Sequence, residues 1–290
     1  MDLFPDGTHV WVRSRVHGTY VYADENRVDV SLSPRRASMN AAWRVHRVVD
    51  EETHTGYFLL HGAAYGRYLA LSDSPAPRGH RGDRTIQDEY SHRRKPVHWR
   101  AIRLWDNDDV LIRHESKRSL RANSKYRPWH TGVTVDDTNS MRSSMMRWVV
   151  EAIPPRPAPP DLPVPTAGPR IQHSLFRWRA RPTENFGIRY TRADDDGNID
   201  ELNPLNWRDF TFYSRSVFNL RTMVASLEND PNVHNFTLCF RGGFYGRLTP
   251  LVVDLPMDQG QYMDIVVLTT GSPAAQALVY PNVDEPEKDV

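Results

Sequence analysis

The chain holds one cysteine, Cys239, in 290 residues. A lone thiol cannot close an intramolecular disulfide, nor can it build a Cys-based zinc site. Long hydrophobic runs are missing too: no stretch nears the ~18 apolar residues that a membrane-spanning helix requires. The opening residues, Met1-Asp2-Leu3-Phe4-Pro5-Asp6-Gly7, have neither the basic flank nor the apolar core of a secretory signal. A cytoplasmic location, with the nucleus left open, is therefore expected. The catalytic constellations are absent as well. There is no His paired with a nearby base, no nucleophile elbow and no metal-ligand spacing, and the histidines are spread along the sequence. The expectation is a protein that is not an enzyme and uses no cofactor or metal.

What is present suits ordinary globular cores. The chain is 39% hydrophobic, 25% charged and 10% aromatic, and its length fits roughly two domains. The net charge of +1 conceals an asymmetry. Residues 1–156 hold 25 Lys and Arg against 19 Asp and Glu, with ten of the twelve histidines, and the remainder holds 12 against 17. A basic half joined to an acidic half implies different partners or weak mutual attraction. The excess is too small for a typical nucleic-acid-binding domain, so nucleic acid is not the expected partner.

The chain divides at a proline tract. Between Ile153 and Pro169, eight of seventeen residues are proline, which neither a helix nor a sheet ladder can cross. Extended polyproline II and a semi-rigid spacer follow; an SH3 or WW ligand is the functional alternative. This sets an N-terminal domain at 1–153, a linker at 154–181, a second domain at 182–283 and an acidic tail at 284–290, with the two halves expected to fold independently.

Before the tract the pattern is β-structure in three passes. Each pass runs through four short strands and closes on a tryptophan, at Trp43, Trp99 and Trp148. Val21, Leu69 and Leu120 hold equivalent places within the passes. A period near 50 in three copies predicts a β-trefoil of three four-stranded repeats, since three propeller blades are too few to close. The recurring tryptophans then form a core layer instead of a ligand-stacking surface.

Several blocks carry a family resemblance. They include Phe4-Pro5-Asp6-Gly7, Ala41-Ala42-Trp43-Arg44-Val45-His46, Leu60-His61-Gly62-Ala63-Ala64-Tyr65-Gly66-Arg67-Tyr68-Leu69, Met145-Met146-Arg147-Trp148-Val149-Val150-Glu151 and Tyr245-Gly246-Arg247-Leu248-Thr249-Pro250-Leu251-Val252-Val253-Asp254-Leu255-Pro256. They resemble a plant family of unknown function. The resemblance implies a fascin-like trefoil of the actin-cross-linking type followed by a ubiquitin-like domain. It supplies no catalytic or binding residues to carry over, and a fold of that type does not by itself establish actin binding.

After the tract, strands are expected at 188–192, 210–213, 236–240, 251–255 and 263–268. Between the second and third, Ser216 offers an N-cap to a helix with Val217, Leu220, Val224 and Leu227 on one face. The order β-β-α-β-β-β suits a ubiquitin-like β-grasp, so the whole chain reads as mainly β with an α+β second domain. The end of the chain lacks Gly-Gly, and conjugation in the manner of ubiquitin is not expected.

Other motifs fall short. Asp194-Asp195-Asp196-Gly197 resembles an EF-hand fragment, but Arg192 and Asn203 occupy the positions where acidic ligands belong. A turn is the better reading. Arg81-Gly82-Asp83 and the sequon Asn235-Phe236-Thr237 read as accidental, Gly242-Gly243-Phe244-Tyr245-Gly246 as a turn, and Cys239 as a buried, inert thiol. Two basic groups stand out. Arg93, Arg94 and Lys95 precede Trp99, with Arg100 and Arg103 after it, while Lys117, Arg118, Arg121, Lys125 and Arg127 interleave with Tyr126 and Trp129. Arginine beside aromatic rings suits acidic protein surfaces and phosphate groups; simple solvation of loops is the competing explanation. The resulting expectation is a non-catalytic interaction or scaffold protein, with actin or another acidic protein surface as partner. The alternative is a lectin-like or phosphoinositide-binding trefoil.

Overall fold

The computed structural model describes all residues except 1–2, 51–53, 92–95, 105–108, 124–127, 138–142, 164, 166–184, 201–205, 258–261 and 287–290. The chain forms two compact units. The first is Met1–Pro159 with Gly242–Arg247 and Val279–Val290; the second is Pro160–Arg241 with Leu248–Leu278. The proline tract is thus one of four places where the chain passes between units. Residues 284–286, the described part of the tail set apart at 284–290 by sequence, belong to the first.

That first unit contains twelve strands: β1 (His9–Ser14), β2 (Tyr20–Ala23), β3 (Val30–Ser33), β4 (Trp43–Val49), β5 (Gly56–Gly62), β6 (Tyr68–Pro75), β7 (Asp83–Asp88), β8 (Trp99–Arg103), β9 (Val110–His114), β10 (Ser119–Ala122), β11 (Val133–Asp136) and β12 (Trp148–Ile153). The first and fourth strands of each repeat pair in a closed ring, β1–β4–β5–β8–β9–β12 and back to β1. The second and third strands form the hairpins β2–β3, β6–β7 and β10–β11. Closure leaves no barrel edge unpaired. This is a β-trefoil with the expected three repeats.

Register explains why the pattern repeats. Trp43, Trp99 and Trp148 open the fourth strands and lie opposite Val10, Phe58 and Val110. All three rings are fully buried. Their indole N–H groups donate to the carbonyls of Val21 at 2.9 Å, Leu69 at 2.9 Å and Leu120 at 3.0 Å. Those acceptors are the residues that the sequence places in equivalent positions. One strand begins later than its apolar pattern indicates. The Asn26 side-chain oxygen takes the N–H groups of Val28 and Asp29, so regular pairing starts at Val30.

The second unit holds β13 (Phe186–Arg192), β14 (Arg208–Phe212), α1 (Val217–Leu227), β15 (Phe236–Arg241), β16 (Leu248–Pro250), β17 (Met263–Thr269) and α2 (Pro273–Gln276). The sheet order is β14-β13-β17-β15-β16, with β13 and β17 parallel, which is the β-grasp arrangement. Ser216 caps α1 through the Asn219 N–H, and Val217, Leu220, Val224 and Ala225 are buried. Two expectations need correction. Leu227 is 40% exposed, its place on the packed face being taken by Ala225. The fourth strand is Leu248–Pro250 and not 251–255. Leu251 N–H still donates to the Leu238 carbonyl at 2.8 Å, but the chain then turns to α1: Leu255 N–H donates to the Arg215 carbonyl at 2.7 Å, and the Asp254 carboxylate accepts from Val217 N–H.

Candidate functional site

Where β5 meets β8, the barrel is joined by a single pair, Phe58 opposite Trp99. The strands diverge beyond it and leave an open groove of about 720 Å³, lined by Phe4, Arg47, Val49, Tyr57, Arg100 and Arg103 among others. Arg100 and Arg103 are exposed residues of β8, and Arg47 is an exposed residue of β4. The Arg100 guanidinium lies 4.6 Å from the centre of the Tyr57 ring, a cation–π contact that fixes its position. Tyr57 stacks on His98 at 4.9 Å, so the aromatic floor is itself braced. Arg47 Nε donates to the Phe4 carbonyl at 3.0 Å, and Phe4 stacks on Phe58 at 4.0 Å. Among the described residues lining the groove there is no carboxylate. Three guanidinium groups around an apolar, aromatic floor suit an anionic group borne on an apolar body.

The residues singled out by sequence are treated unequally by the fold. Arg100 and Arg103 share the groove. Arg93, Arg94, Lys95, Lys125 and Arg127 lie outside the described residues. Arg118 donates to Asp83 at 2.6 Å and to the Val135 carbonyl at 2.7 Å. Arg121 is 3.9 Å from Asp136 and donates to Asn123 at 3.1 Å. Both therefore brace the β10–β11 hairpin with their charge matched by acids, and Lys117 sits in the preceding turn with a positive φ of 67°. The Arg81-Gly82-Asp83 triplet is structural. Asp83 is held by Arg118, and a Cβ at Gly82 would meet the Val135 carbonyl oxygen at 2.3 Å. Asp194 accepts from the N–H groups of Asp196 and Asn198, which makes its loop a turn. Burial pushes the Cys239 thiol pKa well up.

One constellation has no linear signal. His9, His46 and His61, spread along the sequence, converge with Arg44, Tyr68 and Tyr90. The His61 ring stacks on Tyr68 at 4.5 Å, and its Nε2 is 2.9 Å from the Gly66 carbonyl, which makes Nε2 the protonated nitrogen. His46 Nδ1 is 3.2 Å from the Tyr68 hydroxyl, and the Arg247 N–H donates to that hydroxyl at 3.0 Å. Burial first, and the Arg44 charge second, hold the pKa of His9 at about 3. Burial also brings His61 to about 3 and raises Tyr68 to about 12. The His9 and His61 rings are neutral, and the cluster is a hydrogen-bonded support for the groove-bearing strands. A pH dependence follows. Above the unfolded His value near 6.5 neither state binds the extra protons. Between there and about 3 only the unfolded chain binds them, so stability is lost as pH falls, by up to about 2.7 kcal/mol per pH unit for the two histidines. Urea midpoints measured between pH 7 and 4 should show this slope, and His61→Gln should remove about half of it. An unchanged slope would refute the assignment.

A closed six-stranded barrel with three hairpins in one unit and a β-grasp sheet in the other define a β-trefoil protein with a ubiquitin-like domain. The chain belongs to the family described as the beta-trefoil domain of unknown function DUF569, matched over residues 1–151. Residues 184–268 match the DUF569-associated ubiquitin-like domain. No curated protein matches the chain. Similar solved structures include ThreeFoil, a designed 3-fold symmetric protein, at 18% identity and a TM-score of 0.40, covering 49% of this chain and 96% of that one. A ricin B-like lectin of Macrolepiota procera in complex with lactose is also 18% identical, with a TM-score of 0.40 and coverage of 51% and 96%. A Caenorhabditis elegans protein with unknown function is 13% identical, with a TM-score of 0.41 and coverage of 52% and 97%.

Proposed function

We propose that the protein is a non-catalytic interaction module whose trefoil takes an anionic partner in the groove between β4, β5 and β8. The observation that carries this reading is the convergence of Arg47, Arg100 and Arg103 with the Tyr57 ring on one groove. The fascin-like resemblance names the actin filament as the first acidic surface to test. Filament co-sedimentation of the full chain at rising salt should show binding that weakens steeply, because exposed charges are screened over about 8 Å at physiological ionic strength. Arg100→Glu with Arg103→Glu should weaken it at least about tenfold while leaving the thermal transition within about a degree or two, since surface changes rarely exceed about 0.5 kcal/mol. Binding indifferent to both salt and the double reversal would overturn the proposal.

A second groove supports the lectin-like alternative. It holds about 750 Å³ and is lined by Leu71, Ser72, Asp73, Ile86, Asp88 and His114. Carboxylates and hydroxyls above an aliphatic floor suit a neutral sugar, whose hydroxyls donate and whose ring face packs on apolar atoms. A glycan array read against Asp73→Asn with Asp88→Asn tests it. Sugar signal that survives this pair would count against the second groove.

A further inference from the structure

The segment from Val279 to Pro286 lies in the trefoil unit and is seated there part by part. Tyr280, Pro281 and Val283 are buried. Val283 joins Trp11, Tyr20, Ala42, Ala63 and Ile153 in one apolar cluster. The backbone adds on as a short strand: Pro155 and Pro281 form an antiparallel bridge, Arg156 N–H donates to the Tyr280 carbonyl at 2.8 Å, and Asn282 N–H donates to the Pro154 carbonyl at 2.8 Å. Past Val283 the contacts turn ionic. Arg156 pairs with Asp284. Arg36, whose guanidinium lies 3.5 Å from the centre of the Trp11 ring, donates to the Glu285 carbonyl.

Exposed main-chain partners, an apolar pocket and a pair of flanking arginines are the parts from which extended peptides are recognised. The residues in place show what this surface selects, an apolar side chain followed by an acid, Val283-Asp284, with the next carbonyl, that of Glu285, held by Arg36. We propose that this face of the trefoil is a binding site for extended acidic segments of other proteins, occupied in the resting chain by its own residues 280–285. The seat is suited to exchange because it rests on one isolated bridge and three buried side chains, and Asp284 remains largely in solvent. A tail tethered to its own site competes at millimolar effective concentration, so a foreign segment binds well only once the tail is displaced.

A fluorescent peptide of residues 279–286 tests this by anisotropy against the full chain. Val283→Asp, which unseats the tail, should bind the peptide at least about tenfold more tightly than the wild-type chain, and adding Arg36→Glu should abolish that binding. Equal binding by wild type and Val283→Asp, or no binding by a folded Val283→Asp chain, overturns the proposal. Hydrogen exchange on the wild-type chain provides a readout that needs no variant. The Arg156 and Asn282 amides should exchange at least about tenfold faster than those of Val12 and Ile112, through local opening. Exchange of all four at one common rate would make the tail a permanent strand. A wild-type dimer in light scattering that the peptide dissociates would assign the site to a second copy and overturn it likewise.

Discussion

Trp148→Ala should lower the unfolding free energy by about 3–5 kcal/mol, the range for large aromatics deleted from a packed core. The ring is fully buried, so its removal opens a cavity in the layer shared with Trp43 and Trp99. It also strips the Leu120 carbonyl of its 3.0 Å donor, and an acceptor left unpaired in the interior costs a further share of about 1–3 kcal/mol. Trp148→Phe separates the two effects, since it keeps most of the apolar volume and loses the hydrogen bond. Its expected cost is about 1–3 kcal/mol. Because the three indoles make the same bond to equivalent carbonyls, Trp43→Ala and Trp99→Ala should fall in the same range by urea denaturation at constant m-value. A loss below about 1 kcal/mol at any of the three would contradict the threefold core layer.

That layer was legible in the sequence because a repeat states its geometry three times. Val21, Leu69 and Leu120 recur at one place in each pass, and the structure makes each the acceptor of its own repeat's tryptophan. The β-grasp strands were legible by alternation, with one failure at residues 251–255. There the apolar run reflects true burial of Leu251 and Leu255, but past Leu251 the Leu255 amide donates to the Arg215 carbonyl and the Asp254 carboxylate accepts from the α1 N-terminus, and hydrogen bonds, not apolarity, decide what is a strand. The candidate groove was half legible. Arg100 and Arg103 read as a basic group, whereas Arg47 and Tyr57 reach the same groove only through the β4–β5 and β5–β8 pairings of the closed barrel. At Arg118 and Arg121 the sequence shows the basic charge alone for the same reason, since their partners Asp83 and Asp136 come from other strands. The histidine cluster needed three strands to assemble and left no linear trace.

A fragment ending at Pro159 should be less stable than the trefoil within the full chain by at least about 3 kcal/mol. The sequence places a natural cut at the proline tract, but the compact unit also includes Gly242–Arg247 and Val279–Val290. Losing the later segment uncovers Val283's share of the Trp11 cluster, and burial of one valine contributes about 1.5–3 kcal/mol. Losing the earlier one removes the Arg247 N–H from the Tyr68 hydroxyl and the Gly242 carbonyl from the Tyr90 N–H, bonds of about 1 kcal/mol each. The fit of that loop is tight, since a Cβ on Gly242 would lie 1.9 Å from the Gly66 carbonyl oxygen. Gly242→Ala in the full chain must therefore shift backbone and not just a side chain, and should itself cost about 2–4 kcal/mol, at the upper end for single substitutions. The two measurements constrain each other. If the fragment unfolds at the full chain's midpoint and Gly242→Ala is silent, residues 242–247 contribute nothing to the trefoil. If Gly242→Ala is costly and the fragment is weakened, the trefoil draws on three separate stretches of the chain for its stability.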